Sequence, residues 1–313
     1  MNAPILHHYA VSPFAEKVRA MLGYKKLAWQ SVTIPMIMPK PDLVALTGGY
    51  RRTPVLQTGA DLWCDTALIA RVLERRAPQP SLYPYGDTLA MQALCHFADS
   101  VMFNISVPIG FQPGAGMIRK FHPGLGPEFL EQFGKDRVAM RQGGTVRRGP
   151  LAECKANMAG LLPRIEAQLA LPYLFGPQPC VADFSLYHVL WPIWQVDEAR
   201  GMLAPYPKTT GFIERMAALT GQAKPVEITA AQALEIAKSS KPEPIAVPAA
   251  IETGGIALGE TVNVMPVDYA LDPVKGELLS CTADEIAVRR TDPRAGTVVV
   301  HFPRFGFQLA RAT

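Results

Sequence analysis

Cysteine is scarce and poorly placed for structural use: the chain has five, Cys64, Cys95, Cys154, Cys180 and Cys281. The number is odd and no Cys-X-X-Cys occurs. Neither a disulfide framework nor a metal site is therefore expected, and a reducing compartment fits. Charge of one sign is also lacking. A net charge of +4 over 313 residues argues against nucleic acid as a partner. The N-terminus has no charged start followed by an apolar core, so no secretion signal is read there. The longest apolar stretch, 184–196, is broken by His188 and Pro192, and about 20 residues are needed to span a bilayer. No internal repeat is evident. What remains is an ordinary soluble chain, expected to be cytoplasmic, not to enter a membrane, and long enough for two or three domains.

Against these absences one stretch stands out: Ser12-Pro13-Phe14-Ala15-Glu16-Lys17-Val18-Arg19. It follows the apolar run 5–11 and opens a helical pattern with Val18, Met21 and Leu22 on one face. A Ser directly before Pro at such a junction is a helix N-cap followed by the residue favoured at the first helical position. Its hydroxyl then sits beside unpaired N–H groups and a partial positive charge, a setting that suits an anion such as a thiolate. A plain cap is the alternative. The neighbouring His7 and His8 do not make a Ser–His nucleophile, because successive strand residues point to opposite faces. No Gly-X-Ser-X-Gly elbow surrounds Ser12 either.

Two further features lie at fixed places. Thr53-Pro54-Val55-Leu56-Gln57 reads as a strand entered through a proline, and a second short strand, 61–64, follows the turn at Gly59. Asp65-Thr66 then precedes an apolar-periodic helix carrying Ala67, Ile69, Ala70, Val72 and Leu73. With Ser12-Pro13-Phe14, the X-Pro-Val-Leu strand and the acidic-plus-hydroxyl pair in this order, the chain resembles the glutathione transferase superfamily.

That resemblance implies an α/β thioredoxin-like domain over 1–78 and an all-α domain over 86–222. Helical patterns run from Thr88 to about Ser106, from Leu151 to about Leu169, from Ser185 to about Val196 and from Pro207 to about Leu219. The 175–184 segment keeps the family's Gly-X-X-Pro-X-X-Ala-Asp-Phe framework, with Cys180 where a capping Ser or Thr is usual. The resemblance covers about residues 4–220.

It also implies a co-substrate and its site. Ser12 would donate a hydrogen bond to the thiolate of glutathione. Thr53, held by Pro54, would pair through its backbone with the cysteinyl unit like an added strand. Asp65 and Thr66 would hold the γ-glutamyl ammonium and carboxylate. Lys40 would reach the glycyl carboxylate, with Arg51 and Arg52 as alternatives to it. Phe14, Met102, Phe103 and Phe111 would line the pocket of a small electrophile. Tyr9 is the family's other thiolate partner, or else a packed aromatic. Omega-like members carry Cys where Ser12 stands. Zeta-like and theta-like members with Ser there attack electrophiles, isomerise or dehalogenate, and a homodimer is the expected assembly.

Two regions lie outside that pattern. Residues 108–150 form a Gly/Pro-rich insertion whose Lys135, Arg137, Arg141, Arg147 and Arg148 read as a solvated loop, or less simply as a mouth for anionic substrates. Beyond residue 222 come a short helix at 229–238 and a Pro/Ala/Lys linker at 239–250, together the segment 223–253. Five β-like runs follow, at 261–267, 277–281, 285–289, 297–302 and 306–309. Their spacing suggests a small SH3-like barrel over 254–313, separate from the catalytic site. On that view, cleavage in the linker leaves a fragment ending near 240 that still binds glutathione. Two functions stay open: a glutathione-dependent transferase, or a non-catalytic binding or assembly protein that uses the β domain for partner contacts.

Overall fold

Strand β1 (Ile5–His8) is buried at all four positions, as a strand covered on both faces must be. Helix α1 (Pro13–Tyr24) starts at its Ser12 cap. Then come β2 (Gln30–Thr33), α2 (Pro41–Thr47), β3 (Val55–Thr58), β4 (Asp61–Cys64) and α3 (Thr66–Arg76). β1 pairs in parallel with β2 and antiparallel with β3, and β3 pairs antiparallel with β4. This is the thioredoxin-like unit expected from the sequence. The computed structural model describes residues 3–111, 116–245 and 249–312.

The helical part begins with α4 (Leu89–Phe97), a π-helical turn at Ala98–Met102 and α5 (Phe103–Phe111). Together they form one rod, long and apolar enough to cross a membrane by those two criteria alone. After it come α6 (Gly116–Phe121), α7 (Pro127–Arg141), α8 (Leu151–Gln168), α9 (Val181–Gln195), α10 (Asp197–Arg200) and α11 (Pro207–Thr220). The rod packs along α9 and α8, and the Ser106 hydroxyl donates to the carbonyl of Val189. α9 is buried from Val181 to Ile193, the central position a helix apolar on most of its circumference requires. Cys180 caps it after all. The Cys180 N–H and Sγ reach Asp183 Oδ2 at 2.8 and 3.1 Å, so the thiol takes the place of the usual hydroxyl.

The insertion at 108–150 is not a loop. Where described it folds into α6 and α7; residues 112–115 lie outside the described part. Pro127 starts α7 at the position where a missing N–H costs nothing, and Glu128 lies in its first turn. Half of the glycines and prolines that make the segment look loop-like lie between the helices, at 123–126 and 143–150.

A larger correction concerns the C-terminal strands. After β5 (Val226–Glu227) and α12 (Ala230–Ser239) come β6 (Thr261–Pro266), β7 (Val274–Cys281), β8 (Glu285–Asp292), β9 (Gly296–Pro303) and β10 (Phe307–Arg311). Among the described residues they do not close into a barrel. Their order is β10-β6-β7-β8-β9, and β9 adds in parallel to β4, giving one ten-stranded sheet that ends at β5. Pairing with β9 covers the edge of β4 that the first unit would otherwise expose. The seam is dense. His301 of β9 stacks on Trp63 of β4 at 3.8 Å between ring centroids. Its Nε2 meets Asp61 Oδ1 at 3.0 Å and its Nδ1 meets Glu285 Oε1 at 2.7 Å. The presumed linker is also docked: the Glu243 N–H donates to Asp61 Oδ2 at 2.8 Å. Residues 246–248 of it lie outside the described part.

Candidate active site

Ser12 sits at the junction of β1 and α1, with 4% of its surface exposed. Its Oγ accepts the Ala15 N–H at 3.2 Å, which leaves the hydroxyl proton without an acceptor among the described residues. It lines a cavity of about 540 Å³, a size suited to a small-molecule ligand. Tyr9, Phe14, Thr53, Phe103 and Phe111 line the same cavity. Met102 does not: it is buried in the core. Phe14 packs on Phe103 and on His188, each at 4.6 Å between centroids. Burial pushes the His188 imidazole down to about 4 against the opposing pull of Asp99, so His188 is a neutral packing partner near pH 7.

Thr53 precedes a cis bond to Pro54. Its backbone N–H and C=O have no partner among the described residues, so an extended edge is open beside Ser12. Lys40 lies behind this edge and does not line the cavity. Its Nζ donates to the Arg51 carbonyl at 3.2 Å and to Thr53 Oγ1 at 3.4 Å. Burial, with Arg137 and Arg51 repelling and Asp136 opposing, brings its ammonium down to about 7. Lys40 is thus a buried residue, 2% exposed, and not a solvated loop lysine.

Asp65 and Thr66 stand at the start of α3. Asp65 holds φ at 73° and accepts the Ala67 N–H at 2.9 Å. Burial pushes its carboxyl up, and the Ala67 amide and Arg52 only partly oppose that. The buried Lys17 donates to Thr66 Oγ1 at 3.2 Å and to Asp99 Oδ2 at 2.7 Å. Neither Asp65 nor Thr66 lines the cavity that holds Ser12 and Thr53.

Residues outside the expected glutathione site build much of the wall. Phe133, Arg137 and Arg141 come from α7, Arg148 from the loop before α8, and Tyr269 from the turn between β6 and β7. That turn organises the wall. The Asp268 carbonyl accepts N–H bonds from Thr145 at 2.8 Å and Val146 at 3.3 Å, and the Ala270 N–H donates to Met140 O at 2.6 Å. Any side chain at Gly144 would run into the Asp268 carbonyl, 2.1 Å from where its Cβ would sit. Asp268 also pairs with Arg52, whose guanidinium lies 3.8 Å from the Tyr269 ring centroid. Arg51 is held by Asp136 of α7 at 2.5 Å. The C-terminal strands therefore help build the cavity. No local pattern marks Tyr269 in the sequence; the basic run at 135–148 was the one visible sign of the rest.

The fold joins a thioredoxin-like unit to an all-helical one, with a capped serine at a helix start and an open backbone edge beside it. Residues 6–81 match the family "Glutathione S-transferase, N-terminal domain". A GST-like protein from Pseudomonas syringae is 39% identical over 100% of both chains, with a TM-score of 0.81. The chain belongs to the glutathione S-transferase superfamily. More distant structures share the fold over 69% of this chain. Glutathione S-transferase III in its apo form is 19% identical with a TM-score of 0.52 over 92% of that chain. The beta-etherase LigF from Sphingobium sp. strain SYK-6 is 16% identical with a TM-score of 0.51 over 96% of that chain. No curated protein matches the chain.

Proposed function

We propose that the protein is an enzyme that binds glutathione and directs its thiolate at a small electrophile in the cavity. The observation that carries this reading is the free hydroxyl proton of Ser12 at the N-terminus of α1, facing the same cavity as the open Thr53 edge. When bound, glutathione supplies the sulfur nucleophile. Ser12 donates a hydrogen bond to that sulfur, and the unpaired N–H groups of the first turn of α1 add their partial positive charge. Both favour the ionised thiol, whose free pKa near 8.5 leaves it a few per cent ionised at pH 7. Ser12 positions charge and forms no bond to substrate, unlike a Cys at the same place.

Thr53 holds the peptide by its N–H and C=O, supported from behind by Lys40. Asp65 and Thr66 take the γ-glutamyl end, and Arg51 supplies positive charge for the glycyl end. Phe14, Phe103 and Phe111 give the electrophile an apolar wall, with Tyr9 at its base. We also infer a homodimer: Leu89, Phe97, Val101 and Phe305 are exposed apolar side chains on or beside the α4 rod, a surface to be tested by light scattering. The free, buried state of all five cysteines is consistent with residence in a reducing cytoplasm.

The test is calorimetric titration with millimolar glutathione, followed by turnover on chloro-aromatic, epoxide, haloacid and disulfide substrates. Heat of binding and turnover of one electrophile class are expected. Absence of glutathione binding would end this reading.

A further inference from the structure

Two guanidinium groups on the cavity wall have no counter-charge. Arg51, Arg52, Arg137, Arg141 and Arg148 line the cavity, and no carboxylate lines it among the described residues. Arg51 and Arg137 share Asp136, and Arg52 has Asp268. Arg141 has no ion pair or hydrogen bond among the described residues, and Arg148 reaches only the neutral Asn104 Oδ1 at 3.4 Å. Both are partly buried. Burial and then the repulsion of Arg137 lower the Arg141 guanidinium; burial and then Arg141 bring Arg148 down to about 10. Unmatched charges in a desolvated wall are unfavourable until an anion joins them.

The flat apolar surface beside them fits a ring. Arg148 lies 5.8 Å from the Phe103 centroid, and Phe103 packs on Phe14, two residues from Ser12. Phe111 and Phe133 stand with nearly parallel rings on the same wall. An anion on Arg148 therefore places an attached ring over Phe103 and Phe14, toward the Ser12 end of the cavity.

We propose that Arg141 and Arg148 select an aromatic electrophile bearing a carboxylate or other anionic group. This rests on the glutathione reading given above. Two matched probes test it, 4-chloro-3-nitrobenzoate and the neutral 4-chloro-3-nitrobenzamide. In each, the glutathione sulfur forms a bond to the ring carbon, the carbon–chlorine bond breaks, chloride leaves with the electron pair and the thiol proton passes to solvent; nothing is oxidised or reduced.

The expected result is a kcat/KM preference for the benzoate over the benzamide. Arg141→Gln with Arg148→Gln should lower that preference about 10- to 100-fold, with partial recovery in the Lys variants. Wild-type affinity for the benzoate, measured calorimetrically with S-methylglutathione present, should fall with added salt more than affinity for the benzamide. These wild-type measurements stand even if the double variant does not fold. An unchanged preference in the folded variants, equal salt dependence, or a loss of glutathione affinity in place of benzoate affinity would each overturn the proposal. Selective benzoate binding without turnover would defeat the thiol-activation reading and leave this one standing. Turnover of both probes at equal rates would do the reverse.

Discussion

The guanidinium of Arg52 lies over the ring of Tyr269, 3.8 Å from its centroid, although the two residues are 217 positions apart in the chain. Arg52 also donates to the Tyr269 carbonyl and pairs with Asp268. Through this contact the C-terminal strands hold the loop that presents Thr53. The region expected to be a separate appendage is therefore part of the cavity wall.

A chain ended after Pro244 should consequently fail, against the expectation of a fragment that still binds glutathione. It would expose the β4 edge and release Arg52, the wall around Gly144 and the stacked Trp63. Losing buried residues on the scale of Val298, Val300 and Phe302, at about 1.5–3 kcal/mol for each buried large apolar side chain, is comparable to the usual margin of a domain, about 5–15 kcal/mol. We expect aggregation or loss of cooperative unfolding, read by circular dichroism and sedimentation. A soluble, glutathione-binding fragment would show that the seam is dispensable.

The elements legible in the sequence were those set by local backbone rules. Ser12 before Pro13, Thr53 before Pro54 and Asp65 before the α3 pattern each declare a cap or an extended residue within two positions, and each occupies that position. The β4–β9 pairing joins Asp61 to His301 across 240 residues, and no local periodicity encodes a parallel partner that distant. α7 escaped for another reason. One of its flanks faces the cavity and the rest faces solvent, so Met140 is its one buried residue and its apolar period is weak. The arginines it carries looked like surface charge for the same reason.

Ser12→Ala should lower turnover about 10²-fold, the scale for removing one positioned donor from an anionic centre. Glutathione affinity should change little, since Thr53, Asp65 and Thr66 remain. The Ala15 N–H loses its acceptor, at a cost of about 1 kcal/mol in stability, so variant and wild type should be compared well below their melting temperatures. Ser12→Cys should gain glutathione-disulfide exchange that the parent lacks. Equal turnover of parent and Ser12→Ala would move the thiolate contact to Tyr9 or point to a non-catalytic role for the serine.

Asp65→Ala should weaken glutathione binding by about 2–3 kcal/mol, as expected for an ammonium that loses its charged partner. Calorimetry reads this directly. Asp65→Asn should retain the cap on Ala67 and so separate the charge from the helix start. If the Asn variant binds glutathione as tightly as the parent, Asp65 serves α3 and not the ligand.

His301 makes the seam sensitive to pH, with a definite sign. Burial lowers its affinity for protons, but the hydrogen bonds to Asp61 and Glu285 outweigh burial and raise its pKa above the ordinary value of 6.5. A basic group whose pKa is raised by folding contributes stability that is fully present below the unfolded value. That contribution fades as pH rises through the folded value. The melting temperature should thus fall from about pH 6.5 upward for this reason, while His301→Gln, which keeps the ring's place without a titrating charge, should melt lower at pH 6 and show a flatter profile. Thermal unfolding of both proteins across that range is the measurement. Parallel profiles would mean that the imidazole stays neutral between its two carboxylates, and that its stacking on Trp63 holds the strands together without help from charge.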